Sequence, residues 1–265
     1  MLRIENLLKT FNKGTANENI LFNNLSFTIE DGDFITIVGS NGAGKSTLLN
    51  IISGCIEEDG GSIFLNGDDI SKLPEHKRTR FMGRVFQDPS LGTSPSMTIL
   101  ENLSIAQNKG KKFGLSKGVN GKDVEYFKEL LSKLNLGLED KLYTKVGMLS
   151  GGQRQALALI MAAMSNPSLM LLDEHTAALD PKTSEIIIEL SNEMVVDRKI
   201  TTLMVTHNLN HAIKIGNRLI MMHRGEIILD IKGEEKKSLT INKLLSYFDS
   251  AQSNEVISDR TLFSF

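Results

Sequence analysis

Phe34-Ile35-Thr36-Ile37-Val38-Gly39-Ser40-Asn41-Gly42-Ala43-Gly44-Lys45-Ser46-Thr47 is the stretch that decides how this chain folds. A short β-rich, apolar run leads straight into a glycine-rich loop, and a helical pattern follows. Such a run is what a strand buried on both faces of a parallel sheet looks like. The loop from Gly39 to Ser46 reads as a P-loop. Its glycines let backbone N–H groups curl around phosphate oxygens, and the N-terminus of the next helix adds a favourable dipole. Lys45 brings positive charge to the β- and γ-phosphates, and the Ser46 hydroxyl suits a Mg²⁺ ion. The stretch therefore predicts a nucleoside-triphosphate site, with a helix over 46–53 that ends near Gly54.

Working outward, residues 2–8 and 20–30 alternate as strands do, and the polar stretch 12–19 separates them, which predicts an antiparallel hairpin. Further strands are expected at 62–66, 80–86, 168–172, 201–205, 218–222 and 226–230. Asp180-Pro181 opens a helix, with Asp as the cap and Pro in the first turn. Strands alternating with helices imply an α/β fold with a mostly parallel sheet. The region from Asp88 to Thr144 breaks the pattern. Phe127, Leu130, Leu131 and Leu134 fall at i, i+3, i+4 and i+7, so a helical insertion is expected there, with a mobile stretch at 108–122.

Bulk properties exclude some classes. The chain has 265 residues, enough for one large α/β domain or two small ones. Thirty Lys and Arg against 32 Asp and Glu leave a net charge of −2 with no basic stripe, so nucleic acid is not expected as a partner. The single cysteine, Cys55, rules out an intramolecular disulfide and is expected to be a buried apolar residue behind the P-loop helix. No apolar run reaches the ~18 residues of a membrane span, and the N-terminus does not read as a signal peptide. Work at a membrane would require docking on a separate membrane protein.

More motifs follow in order. Gln87 ends a predicted strand and can reach both a metal and a water. Leu149-Ser150-Gly151-Gly152-Gln153 is a second glycine motif at the start of a helix. In Leu169-Met170-Leu171-Leu172-Asp173-Glu174 a buried strand ends in two acids. Asp173 suits the metal, and Glu174 the polarisation of an attacking water. His207, after the strand at 201–205, is placed to contact a γ-phosphate and to hold the water or Glu174. His76, His211 and His223 have no such setting.

This series, the P-loop, Gln87, Ser150 to Gln153, Asp173-Glu174, Ala178-Leu179-Asp180 and His207, resembles the ATP-binding-cassette (ABC) ATPases over about residues 1–248. The resemblance implies a P-loop NTPase (RecA-like) core with an antiparallel β subdomain, an α-helical subdomain inserted at about 88–154, and a short tail at 249–265. It implies ATP and Mg²⁺, with Ser46, Gln87 and Asp173 on the metal and Glu174, His207 and Gln87 in hydrolysis. Gly39, Ser40, Asn41, Gly42, Ala43, Gly44, Lys45, Ser46 and Thr47 would hold the phosphates. In that family two cassettes dimerise head to tail, so Ser150, Gly151, Gly152 and Gln153 of one copy would face the γ-phosphate held by the other, and Asp180 would connect the two sites. Phe11 stands where the family usually stacks a Tyr on the base, which implies modest selectivity for ATP over GTP. His175 stands where the family usually has Pro.

The same resemblance implies an ATPase on the cytoplasmic face of the cell membrane, working as a homodimer with a permease and a solute-binding lipoprotein. Residues 88–98 and 173–180 are similar to ATPases of bacterial importers proposed for aromatic amino acids. An exporter or lipoprotein-release ATPase, and a soluble ABC protein outside transport, are the other readings. Leu91, Pro95, Met97 and Ile99 are either a docking strip for the permease or packing for the helical insertion.

Overall fold

The structure, a computed structural model, describes residues 1–111 and 118–250. It divides into two compact units: Met1–Leu73 with the chain from Met204 onward, and Pro74–Leu203. Strands β1 (Leu2–Phe11), β2 (Asn19–Ile29) and β3 (Phe34–Gly39), helix α1 (Lys45–Ser53), and strands β4 (Gly60–Leu65) and β5 (Asp68–Asp69) open the first unit. The second holds α2 (Glu75–Arg78), β6 (Met82–Val85), α3 (Ile99–Gln107), α4 (Val124–Ser132), α5 (Gly151–Met164), β7 (Leu169–Asp173) and α6 (Pro181–Arg198). Strand β8 (Thr201–Val205) carries the chain back to the first unit, which α7 (Leu209–Lys214), β9 (Arg218–His223), β10 (Glu226–Lys232) and α8 (Glu234–Lys237) complete. Residues 241–250 are also helical. Among the described residues no helix is long and apolar enough to cross a membrane.

In the first unit, an antiparallel sheet has the order β2-β1-β4-β5. Leu2, Ile4 and Leu7 of β1 are buried. Two residues separate Ile4 from Leu7, so strict alternation fails there, and the register shifts at that point. Asn6 takes up the irregularity in the left-handed region at φ 51°, which Asn adopts more readily than most side chains. The hairpin expected from residues 2–30 is present. A second group of strands runs β10-β9-β3, with β3 parallel to β9 from Ile35↔Arg218 to Gly39↔Met222. Every residue of β3 is buried, as its continuous apolar run requires. Its one polar side chain, Thr36, donates from Oγ1 to the Ala212 carbonyl at 2.8 Å. β9 and β10 join through a two-residue turn, Arg224-Gly225, with φ of 45° and 80°, the positive values that a tight hairpin needs.

In the second unit, β6 pairs with β7 in parallel from Met82↔Leu169 to Val85↔Leu172. Its helices share an apolar core of Ile99, Leu103, Phe127, Leu131, Leu157, Ile160 and their neighbours. Each such side chain, fully buried, contributes roughly 1.5–3 kcal/mol of transfer free energy. The stripe expected at Phe127, Leu130, Leu131 and Leu134 is buried, although Leu134 lies just past the end of α4.

One open alternative is decided for Ile99, and one expectation, for Cys55, needs correction. Ile99 is fully buried at the start of α3, so it packs the helical core rather than a docking strip. A capping box produces that helix: the Thr98 hydroxyl accepts from the Glu101 N–H, and the Glu101 carboxylate accepts from the Thr98 N–H. Cys55 is exposed, not buried. Gly54 ends α1 in the left-handed conformation, which puts Cys55 outside the helix that was to bury it. The expected mobile stretch at 108–122 falls partly, and the tail at 249–265 almost entirely, outside the described residues.

Candidate functional site

The residues singled out from the sequence fall in both units. Phe11, the loop from Gly39 to Thr47 and His207 lie in the first. Gln87, Ser150 to Gln153, Asp173, Glu174 and Asp180 lie in the second.

In the first unit the P-loop joins β3 to α1. Gly42 and Gly44 have φ of 80° and 97°. A Cβ on Gly44 would also sit 2.8 Å from the Phe22 ring, so at this position glycine is required on both counts. Lys45 is 5% exposed, and its ammonium donates to the carbonyls of Gly39 at 2.8 Å and Ser40 at 3.0 Å, which lays its chain along the loop. A loop with Gly42 and Gly44 in left-handed conformations and a lysine bound along it fits a phosphate. Phe11 is half-buried at the end of β1, and the Lys9 ammonium lies 5.4 Å from its ring centre. His207 is exposed just beyond β8.

In the second unit the glycine motif opens α5. Ser150 and Gln153 are the two ends of a capping box. The Ser150 Oγ accepts from the Gln153 N–H, and the Gln153 Oε1 accepts from the Ser150 N–H, each at 3.2 Å. The Gln153 amide also donates to the Leu136 carbonyl at 3.1 Å. The two polar residues of the motif thus build the helix start, and Gly151 and Gly152 add no side chains of their own to it. Asp180 caps α6 by accepting from the Thr183 N–H at 3.1 Å. Hydrogen bonds from the Thr183 hydroxyl and N–H hold its carboxyl below the usual range. The starts of α5 and α6 touch: a Cβ on Gly152 would overlap Thr183 Cγ2. The structure therefore brings the Ser150 motif and the Asp180 turn together.

At the end of β7, Asp173 and Glu174 are half-buried. Glu174 takes φ 46°. Arg84, on the neighbouring strand, lies 3.7 Å from the Asp173 carboxylate and stacks over the Phe86 ring at 4.4 Å. The Gln155 amide of α5 donates to the Phe86 carbonyl at 3.0 Å, which fixes the residue before the exposed Gln87. Arg84, Gln155 and Thr183 went unnoticed in the sequence. A signal existed for Arg84, because a guanidinium inside the short run Met82-Gly83-Arg84-Val85-Phe86 requires a partner. The other two depend on contacts that no local pattern reveals.

The candidate metal ligands, the Ser46 hydroxyl, the Gln87 side-chain oxygen and the Asp173 carboxylate, are oxygen donors of the kind a hard cation takes. Among the described residues no three His, Cys, Asp or Glu cluster as a metal cage. Mg²⁺ bound together with substrate phosphates needs only one or two carboxylates, so the donor set fits it.

Comparison with known proteins agrees with this geometry. The family model for ABC transporters matches residues 22–177. A tyrosine transport ATP-binding protein of Clostridioides difficile (strain R20291) is 55% identical over 251 residues, covering 95% of this chain and all of that one. A phosphonates import ATP-binding protein of Oceanobacillus iheyensis is 34% identical, over 87% of this chain and 89% of its own. Among solved structures, the dimeric post-hydrolysis state of the ATP-binding cassette MJ0796 bound to ADP and Pi superposes with a TM-score of 0.74. It is 30% identical and covers 88% of this chain and 98% of its own. With a P-loop on a buried strand, a second glycine motif on a capped helix and this match along most of its length, the chain belongs to the ABC transporter family, as an ATP-hydrolysing subunit.

Proposed function

We propose that this ATPase powers import of an aromatic amino acid, tyrosine first among them. It would act as a homodimer on the cytoplasmic face of the membrane, with a separate permease and a solute-binding lipoprotein. One observation carries the reading above the others: 55% identity to a tyrosine transport ATP-binding protein along 95% of this chain. Cargo specificity itself belongs to the permease and the binding protein.

The residue roles rest on the family resemblance and on the chemistry of each side chain. Lys45 and the loop N–H groups from Gly39 to Thr47 bind and orient the triphosphate, and Phe11 stacks on the base. Mg²⁺, when bound through Ser46, Gln87 and Asp173, neutralises charge on the phosphates. Glu174 takes a proton from the attacking water, and His207 and Gln87 hold that water in line. Ser150 to Gln153 of the partner copy aim N–H groups from the start of α5 at the γ-phosphate. Asp180, at the start of the neighbouring α6, couples the two shared sites. Closure of the dimer on ATP drives the permease, and hydrolysis resets it.

Uptake of labelled tyrosine by cells that lack the gene tests the reading. Uptake falls in the deletion strain, returns with the parental chain and does not return with Lys45→Ala. Parental tyrosine uptake in the deletion strain overturns the assignment of cargo.

A further inference from the structure

His175 follows Glu174 directly and is 2% exposed. Its Nε2 lies 3.0 Å from the Ser191 Oγ of α6. Ser191 in turn donates to the Ile187 carbonyl, one turn earlier in the same helix, at 2.7 Å. A hydroxyl has one hydrogen and a carbonyl can only accept, so the hydrogen of Ser191 goes to Ile187. The lone pair of Ser191 then faces the ring, and Nε2 must be the donor. The chain Nε2–H to Ser191 Oγ–H to Ile187 O runs one way, and it puts a proton on Nε2.

The chain of bonds sits where the backbone needs holding. Glu174 takes φ 46°, in the left-handed region that a side chain with a Cβ disfavours. The Ala177 N–H donates to the Glu174 carbonyl at 2.9 Å and closes the turn on itself. His175 ties that turn to the middle of α6, whose first turn carries the Asp180 cap. Ser191 and His175 are both buried, so water cannot replace the bond if either is lost.

We propose that His175 is a positioning residue for hydrolysis: its bond to Ser191 fixes the direction in which the Glu174 carboxylate leaves the turn. It acts through Glu174 and does not touch the nucleotide. This inference rests on the reading of Glu174 as the general base.

Steady-state hydrolysis, ATP affinity and ring ¹⁵N spectra of four variants test it. His175→Ala and Ser191→Ala each lower kcat about 10- to 100-fold, the scale of a small misplacement of a catalytic group, with KM for ATP unchanged. The double variant is no worse than His175→Ala, because both changes remove one bond. His175→Gln, which still offers a side-chain N–H, recovers most of kcat. The parental spectrum shows a protonated Nε2, and Ser191→Ala shifts its resonance. Ser191→Ala removes a single oxygen and keeps the test alive if His175→Ala does not fold. Parental kcat in the single variants, or kcat and ATP affinity falling together with losses that add in the double variant, overturns the proposal. Glu174→Gln, run alongside, separates the two readings. Full turnover in that variant removes the base and the proposal with it. Lost turnover there, beside full activity in the His175 variants, removes the positioning role alone.

Discussion

Lys236 holds a charge inside the first unit on neutral partners. The residue is 2% exposed, and its ammonium donates to the Ile215 carbonyl and lies 3.2 Å from the Gly216 carbonyl, 3.3 Å from Thr36 Oγ1 and 3.4 Å from the Arg218 carbonyl. Ile215 and Gly216 follow the end of α7, where outward carbonyls favour a cation. The side chain thereby staples α8 to the foot of β3 and β9. Burial pushes its pKa from 10.5 down to about 8. Below pH 8 the folded and unfolded chains both bind the proton, and the fold carries the whole cost of desolvating it. Between about 8 and 10.5 the unfolded chain binds more protons than the folded one, so stability rises with pH across that window. A neutral amine keeps two donors, so the cage persists. Urea denaturation of the parent and of Lys236→Met at pH 7.5 and pH 10 therefore shows the parent gaining on the variant by up to about 3 kcal/mol, at ~1.4 kcal/mol per pH unit. An equal pH dependence in the two would mean that the ammonium is not desolvated. Lys236 was not legible in the sequence, because Glu234-Glu235-Lys236-Lys237 reads as a solvated charge run. Only the tertiary fold turns one of its four side chains inward.

At the scale of elements, the contact between the starts of α5 and α6 is the tightest constraint on the second glycine motif. Gly152 is buried against Thr183, with no room for a methyl group. Gly152→Ala pushes the two helix starts apart, and overpacking of this kind costs about 1–3 kcal/mol. Thr183→Ser removes the obstructing Cγ2 and leaves the hydroxyl in place. The pair Gly152→Ala with Thr183→Ser thus regains most of the loss in a thermal melt, whereas additive losses would show that Thr183 is not what the methyl group meets. What the sequence makes legible follows the same division. Elements specified locally were readable: the apolar run of β3, the Asp180-Pro181 start of α6, the spacing of Phe127, Leu130 and Leu131 in α4. α3 was missed because its apolar residues follow the Leu91 to Met97 segment without a break. The Thr98 and Glu101 capping box is the local signal that marks its start. The end of α1 at Gly54 is legible in the sequence, but the exposure of Cys55 just beyond it is not, because it depends on how the chain leaves the helix.

At the scale of the whole molecule, the candidate motifs stand out in the sequence because each is marked by residue type and local spacing. The supports do not: Arg84 on Asp173, Gln155 on the Phe86 carbonyl and Ser191 on His175 join segments far apart in the chain. Mixing two inactive variants tests whether each ATP site is shared between two copies. In a head-to-tail homodimer, one site pairs the P-loop of the first copy with the Ser150 motif of the second, and the other site pairs the reverse. Lys45→Ala disables every site through its own P-loop, and Ser150→Arg disables every site by filling the start of α5 with a long cation. Each homodimer is therefore dead. In a mixed dimer both lesions fall in the same site, and the other site is assembled from two intact halves. Random pairing at equal concentrations makes about half the dimers mixed, each with one good site, so hydrolysis returns to roughly a quarter of the parental rate where the sites act independently. Coupling through Asp180 lowers that fraction without abolishing it. A mixture as inactive as its components would mean that each chain builds its site alone, and the Ser150 motif would then have to work in its own copy.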